Sequence, residues 1–342
     1  MSKGETMKPV LIERGGPDAF QSMKHLKSNR ASGLFQKSAL FPRPLAGWFC
    51  GLVLAFALLP RLVGAGSAVA PKPGAVPSHV SLGDVLDDAA IQARLGKEGG
   101  RMVEAGRTVE MSVLISQLKR PTCRLDLPQA PAVREGSATI AARCRASVVV
   151  VARLFRQGAS NKWSAAPASG FFISESGAFI TSYHVVDCAD YRTIVVMTGD
   201  GRMLPVKEVL AADKRCDVAI LRVEGGKLPA LPLECAAPVG SRISVMSHTV
   251  GRYYTFTEGV ISRRSLLHEG PVPLEIMEIT ADFGPGSSGG PVVNERGNVV
   301  GWVDSLLWLP STAVSGGEAS PPLMFRHCGV ASNALRLVEH KQ

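Results

Sequence analysis

Near the C-terminal end of this 342-residue chain runs Gly286-Ser287-Ser288-Gly289-Gly290-Pro291, a string through which no regular element passes unbroken. The glycine pair and the proline force a tight turn, and small neighbours leave the backbone N–H groups unshielded. A serine presented on such a loop has what a nucleophile beside an oxyanion requires. Gly/Ser-rich linkers produce similar strings, so the string alone leaves a plain turn as the alternative.

Two upstream residues change its meaning. Phe171–Ile173, the turn Glu175-Ser176-Gly177 and the run Ala178–Thr181 read as a β-hairpin, with His184 just past its second strand. Asp217 stands at the mouth of the short apolar strand Val218–Leu221. Alone, such a His is structural or exposed, and such an Asp is solvated or paired with a base. Together the three run His, Asp, Ser in chain order, one of the known orders of a nucleophile–base–orienter set.

At this point the chain resembles the trypsin-like serine peptidases, in the manner of the HtrA/Deg branch of the chymotrypsin superfamily. The matching stretches are Ser169–Val186, Asp217–Val223, Gly286–Pro291, and Val250-Gly251 followed by Thr257–Ser262, all in register across about residues 140–340. The resemblance implies an all-β fold of two six-stranded antiparallel barrels, with a short C-terminal helix and a small N-terminal α/β extension. It implies a Ser-His-Asp endopeptidase acting on polypeptides, with Ser288 as nucleophile, His184 as base and Asp217 as its orienter. The N–H groups of Gly286 and Ser288 would form the oxyanion hole, and Gly301-Trp302-Val303 the strand to which substrate adds. No metal or organic cofactor is expected. The rival readings are a non-catalytic module of the same fold that binds extended segments, and an enzyme held latent.

The chain departs from the family pattern in places. Ser287 and Ser182 each replace a customary Asn, and Thr280–Gly286, which precedes the nucleophile, is one residue short. Asp282 lies six residues before Ser288, the offset at which digestive relatives place the acid that selects Arg or Lys; the competing reading is a structural pair with a nearby cation. The PDZ module usual in HtrA proteins is not expected within residues 141–342, which the protease domain fills.

Charge points away from nucleic acid. Of the net +9, residues 1–70 supply +6 from nine Lys/Arg against three Asp/Glu, so no basic stripe marks the rest. The apolar run 45–59 follows a basic segment and precedes Ala68-Val69-Ala70, which fits a secretory signal or a retained signal anchor. Both place the catalytic part outside the cytoplasm, in the periplasm or beyond, with membrane anchoring through 45–59 as the second option. Residues 1–70 thus read as leader, 71–140 as linker and extension of unknown role, and 141–342 as the protease domain.

Six cysteines beyond Cys50 suggest disulfides in an exported chain. Cys188 and Cys216 flank His184 and Asp217, so their loops meet if those two residues meet, and Cys123–Cys144 is the second candidate pair. Zinc binding and free thiols are the alternatives. Within the extension, Ser81–Asp84 is expected to cap a helix ending near Lys97, and Val109–Leu118 alternates like a strand. Pro310–Pro322 reads as a loop beside the site, and Ser332 as the cap of a closing helix, Asn333–His340.

Overall fold

The computed structural model describes residues 10–12, 85–309 and 323–339, apart from 236, 269 and 270. The apolar run 45–59, the linker and the loop 310–322 lie outside the described residues. Among the described residues no helix is long and apolar enough to cross a membrane.

The first barrel comprises β3 (Val148–Gln157), β4 (Lys162–Phe172), β5 (Ala178–Thr181), β6 (Thr193–Met197), β7 (Met203–Asp213) and β8 (Val218–Val223). They close in the order β3-β4-β5-β8-β7-β6, all antiparallel. The second comprises β9 (Arg242–Ser247), β10 (Thr255–Leu267), β11 (Leu274–Ile279), β12 (Pro291–Asn294), β13 (Val299–Leu309) and β14 (Leu323–Val330). Its ring closes because β14 pairs with both β11 and β13 while β12 pairs with both β13 and β9. The two expected six-stranded barrels are therefore present. A short strand, β1 (Val10–Ile12), adds to β13 at Leu306–Trp308.

The unbroken apolar run Val148–Ala152 follows from burial on both faces of β3. Val148, Val150 and Ala152 join a cluster containing Ile91, Leu95 and Trp302, whereas Val149 and Val151 pack with Phe172, Phe179 and Leu221. The first cluster draws the N-terminal extension and both barrels into one core.

The extension is more helical than its sequence suggested. Helix α1 (Asp88–Glu104) starts later and runs longer than expected, because Asp87 is the residue that caps it, accepting from Ala90 N at 2.9 Å. Its three interior glycines each cost helix stability. Contact explains them: a Cβ on Gly100 would lie 2.2 Å from the Trp163 ring, and one on Gly96 2.7 Å from the Trp163 carbonyl oxygen. The stretch expected as a strand is instead α2 (Met111–Gln117), since Met111, Leu114 and Leu118 are buried at helical spacing. Helix α3 (Ser137–Ser147) then feeds directly into β3.

The closing helix is also shorter. Helix α5 spans only Ala331–Leu335, after which Val338–Glu339 (β15) pairs in parallel with Cys123–Arg124 (β2). Cys123 N donating to Leu337 O at 2.8 Å pulls the chain out of the helix and ties the C-terminus to the extension.

Candidate active site

The hairpin β4–β5 forms as the apolar runs suggest, with Phe171 opposite Ile180 and Phe172 opposite Phe179. Beyond it a one-turn helix, α4 (Tyr183–Val186), buries Val185 and Val186 and leaves His184 partly exposed at its mouth. Asp217 comes from the turn before β8. Asp213 builds that turn, its Oδ1 accepting from Arg215 N at 2.8 Å and Cys216 N at 3.2 Å. The turn leaves Asp217 at φ +48°, a left-handed conformation that Asp tolerates better than most residues.

The Asp217 carboxylate clasps the histidine twice. Oδ1 accepts from the His184 backbone N–H at 3.0 Å, and Oδ2 lies 2.8 Å from ring Nδ1. Burial on its own pushes the Asp217 carboxyl up, but hydrogen bonds and charge from His184, with a further hydrogen bond from Asp304, hold it below the ordinary carboxylate value. The clasp fixes the ring and leaves Nε2 as its working nitrogen.

The loop Gly284–Gly290 sits against the His-bearing segment. Gly286 and Gly289 have φ of +92° and +84°. A Cβ on Gly289 would fall 2.4 Å from Ser169 O, 2.7 Å from Thr181 Oγ1 and 2.8 Å from Ser182 N, so only glycine permits this approach two residues from His184. Ser169 N donates to Ser288 O at 3.0 Å, and Val303 O receives both Gly289 N at 2.8 Å and Ser182 Oγ at 3.4 Å. Ser288 is partly exposed. Among the described residues no hydrogen bond closes between Ser288 Oγ and His184, a bond that often tightens only with substrate bound.

Several contributors carried no local signal in the sequence. Ser169 Oγ donates to Gly286 O at 2.9 Å and accepts from His248 N at 3.0 Å. The fully buried Ser287 hydroxyl takes a hydrogen bond from Ser247 Oγ at 2.9 Å, shares one with Thr249 Oγ1 at 2.7 Å, and accepts from Gly284 N at 3.3 Å. His248 is wholly enclosed below the loop; burial, aided by Arg145, drives its pKa down to about 3, so the imidazole is neutral and its Nδ1 accepts from Tyr254 N. Asp304 follows directly on the expected substrate strand and points at Asp217. His184, Asp217 and Asp304 bring one donor atom each within 4.8 Å of one another.

Other expected residues are placed differently. Gly301, Trp302 and Val303 pair with β14, and Gly301 and Trp302 also pair with β12, so their backbone edges are taken; the Trp302 side chain is fully buried. Strand addition at Gly301–Val303 is therefore closed. Asp282 is exposed and bound to the Arg326 guanidinium, and its neighbour Phe283 turns into the second barrel's core. This is the structural pair, set by a loop that spends its length burying Phe283. The cysteines proposed as bridges, Cys188, Cys216, Cys123 and Cys144, are free thiols, as are Cys235 and Cys328. Cys216 hydrogen-bonds Asp213 Oδ2 at 3.3 Å, and Cys188 and Cys216 pack against different clusters.

Comparison with known proteins bears on the same residues. Residues 168–301 match the model of the trypsin-like peptidase domain. A DegP-like periplasmic serine endoprotease of Halomonas elongata is 35% identical over 159 residues, covering 45% of this chain and 32% of its own. The counterpart in Hahella chejuensis is 35% identical over 159 residues, covering 45% and 33%. The chain thus spans about a third of the length of these curated relatives. Among solved structures, an HtrA-type protease, AlgW with tripeptide, shares 23% identity at a TM-score of 0.46, over 59% of this chain and 62% of that one.

Proposed function

We propose that the chain is an exported serine endopeptidase hydrolysing peptide bonds through an acyl-enzyme, a reading supported by the match of residues 168–301 to the trypsin-like peptidase domain and by their likeness to DegP-like endoproteases. Ser288 Oγ attacks the scissile carbonyl while its proton passes to His184 Nε2. The tetrahedral oxyanion is held by the N–H groups of Gly286 and Ser288. Collapse breaks the C–N bond, and the amine leaves with the proton from His184. Water, deprotonated by the same ring, then releases the acyl group from Ser288. Asp217 holds Nδ1 and stabilises the imidazolium formed at each transfer.

One observation carries this reading: a buried carboxylate clasps both N–H groups of His184, on a segment that Gly289 brings against the nucleophile loop. The names of the relatives and the leader-like segment 1–70 support a periplasmic destination. Substrate is an extended polypeptide. Its edge would be Leu306–Trp308 of β13, along which β1 pairs antiparallel. Residues 10–12 precede the apolar run, so export through that run removes β1 and frees the edge.

The test is labelling of the full chain with a fluorophosphonate probe, beside Ser288→Ala. Labelling that requires Ser288 establishes an activated nucleophile. A folded wild-type protein that stays unlabelled returns the reading to a latent or purely binding module.

A further inference from the structure

We propose that Asp304 is a proton-bearing positioning residue, whose carboxyl donates a hydrogen bond to Asp217 and so fixes the anion that orients His184. The inference rests on the endopeptidase reading for its kinetic consequences, though not for the protonation it asserts.

The backbone aims Asp304 at the site. Strand β13 pairs with β14 at Val303–Cys328 and next at Ser305–His327, so Asp304 is the extra residue of a β-bulge. A bulge re-aims a side chain that regular alternation would send elsewhere. Here it brings a second carboxyl to the catalytic one, with an oxygen of Asp304, an oxygen of Asp217 and a nitrogen of His184 mutually within 4.8 Å.

A like charge at this range disfavours ionisation of the second carboxyl, and in the proposed arrangement the pair keeps one proton. Its location follows from the hydrogen bonds. Both Asp217 oxygens already accept from His184, one from the backbone N–H and one at Nδ1, and an acceptor of two such bonds is best served as the anion. The proton therefore resides on Asp304, which becomes a donor. The bond between them joins those from His184 in holding the Asp217 carboxyl low. The titratable groups that act on this pair are His184 from α4 and Cys328 from β14. Burial keeps the Cys328 thiol protonated, so it brings no charge at neutral pH.

The arrangement predicts a pH signature. As pH rises, Asp304 loses its proton, the bond to Asp217 breaks and a second anion faces the first, so kcat/KM falls on the alkaline side. Asp304→Asn keeps an N–H donor that cannot ionise. It should hold neutral-pH activity within about threefold and abolish the alkaline fall. Asp304→Ala should lose about ten- to hundredfold in kcat with KM little changed, because the lost bond is to a charged acceptor.

Infrared spectra of the Ser288→Ala protein, with and without Asp304→Asn, test the proton directly. A protonated-carboxyl band at neutral pH that disappears with Asp304→Asn supports the proposal, even where Asp304→Ala fails to fold. No such band, superimposable pH profiles of wild type and Asp304→Asn, or Asp304→Asn as impaired as Asp304→Ala would each overturn it. A carboxyl band in a wild-type protein that resists fluorophosphonate overturns the endopeptidase reading while leaving the Asp304–Asp217 bond standing.

Discussion

The two barrels present their parts of the site by different physical means. The first supplies a charge: Asp217, nearly enclosed and in a left-handed conformation, grips His184 through charge-assisted hydrogen bonds. The second supplies geometry through neutral groups. Its nucleophile loop hangs on the barrel's own hydroxyls of Ser247, Thr249 and Ser287, joined by Ser169 reaching across from β4 of the first barrel, with glycines at the points of closest approach. Charge-assisted bonds are roughly twice as strong as neutral ones and direct a single proton. A hydroxyl rotates and both donates and accepts, so a web of them tolerates adjustment. The charged half decides whether the reaction runs, and the hydroxyl half decides how well the oxyanion donors are aimed.

The contrast breaks most sharply at Asp217. Asp217→Asn keeps shape and volume but offers an N–H to Nδ1, which selects the tautomer unable to accept the Ser288 proton. We expect kcat on a peptide substrate to fall by about 10³- to 10⁴-fold, the loss typical of this substitution in other Ser-His-Asp enzymes, while circular dichroism still reports a folded protein. A loss below tenfold would mean that His184 is oriented by something other than the clasp.

The hydroxyl half should yield less. Ser287→Ala leaves Ser247 Oγ, Thr249 Oγ1 and the Gly284 N–H short of a buried partner, at about 1–3 kcal/mol of stability. The loop carrying the Gly286 and Ser288 donors then loosens, and kcat should drop by about tenfold with KM almost unchanged. Steady-state kinetics beside a melting curve separates the two effects. A loss as large as that of Asp217→Asn would erase the distinction between the halves.

What could be read in advance divides along the same line. The hairpin carrying His184, the strand after Asp217 and the glycine-rich turn are local patterns, short apolar runs bounded by turns whose residues' backbone freedom admits few alternatives. They also carried the resemblance that implied the barrels. The hydroxyl web was invisible, because Ser169, Ser247 and Ser287 lie far apart in sequence and a serine's role depends on what folding brings beside it. Asp304 was missed though it adjoins a stretch already singled out, since a bulge is a property of strand pairing. Trp302 shows the opposite error: it was given to substrate by analogy, whereas both sheet neighbours claim its backbone and the core claims its ring. The Val109–Leu118 alternation misled because only three of its apolar residues, one helical turn or two apart, end up fully buried.

The smallest effect is expected where sequence offset alone assigned a role. Asp282 stands at the position of a basic-specificity acid, yet its side chain is 78% exposed and it is bound to Arg326 at the barrel surface. Exposed ion pairs contribute about 0–1 kcal/mol, and this one is open to solvent on its acidic side. Asp282→Ala should therefore move stability by no more than about 0.5 kcal/mol. It should also change the ratio of kcat/KM for otherwise identical peptides with Arg or Val at the cleaved position by less than about twofold, because an acid held by its own arginine has no charge to spare for a substrate. A tenfold loss confined to the Arg peptide would show that Arg326 releases Asp282 when substrate arrives, placing a charge-based selector in the barrel that otherwise works through neutral groups.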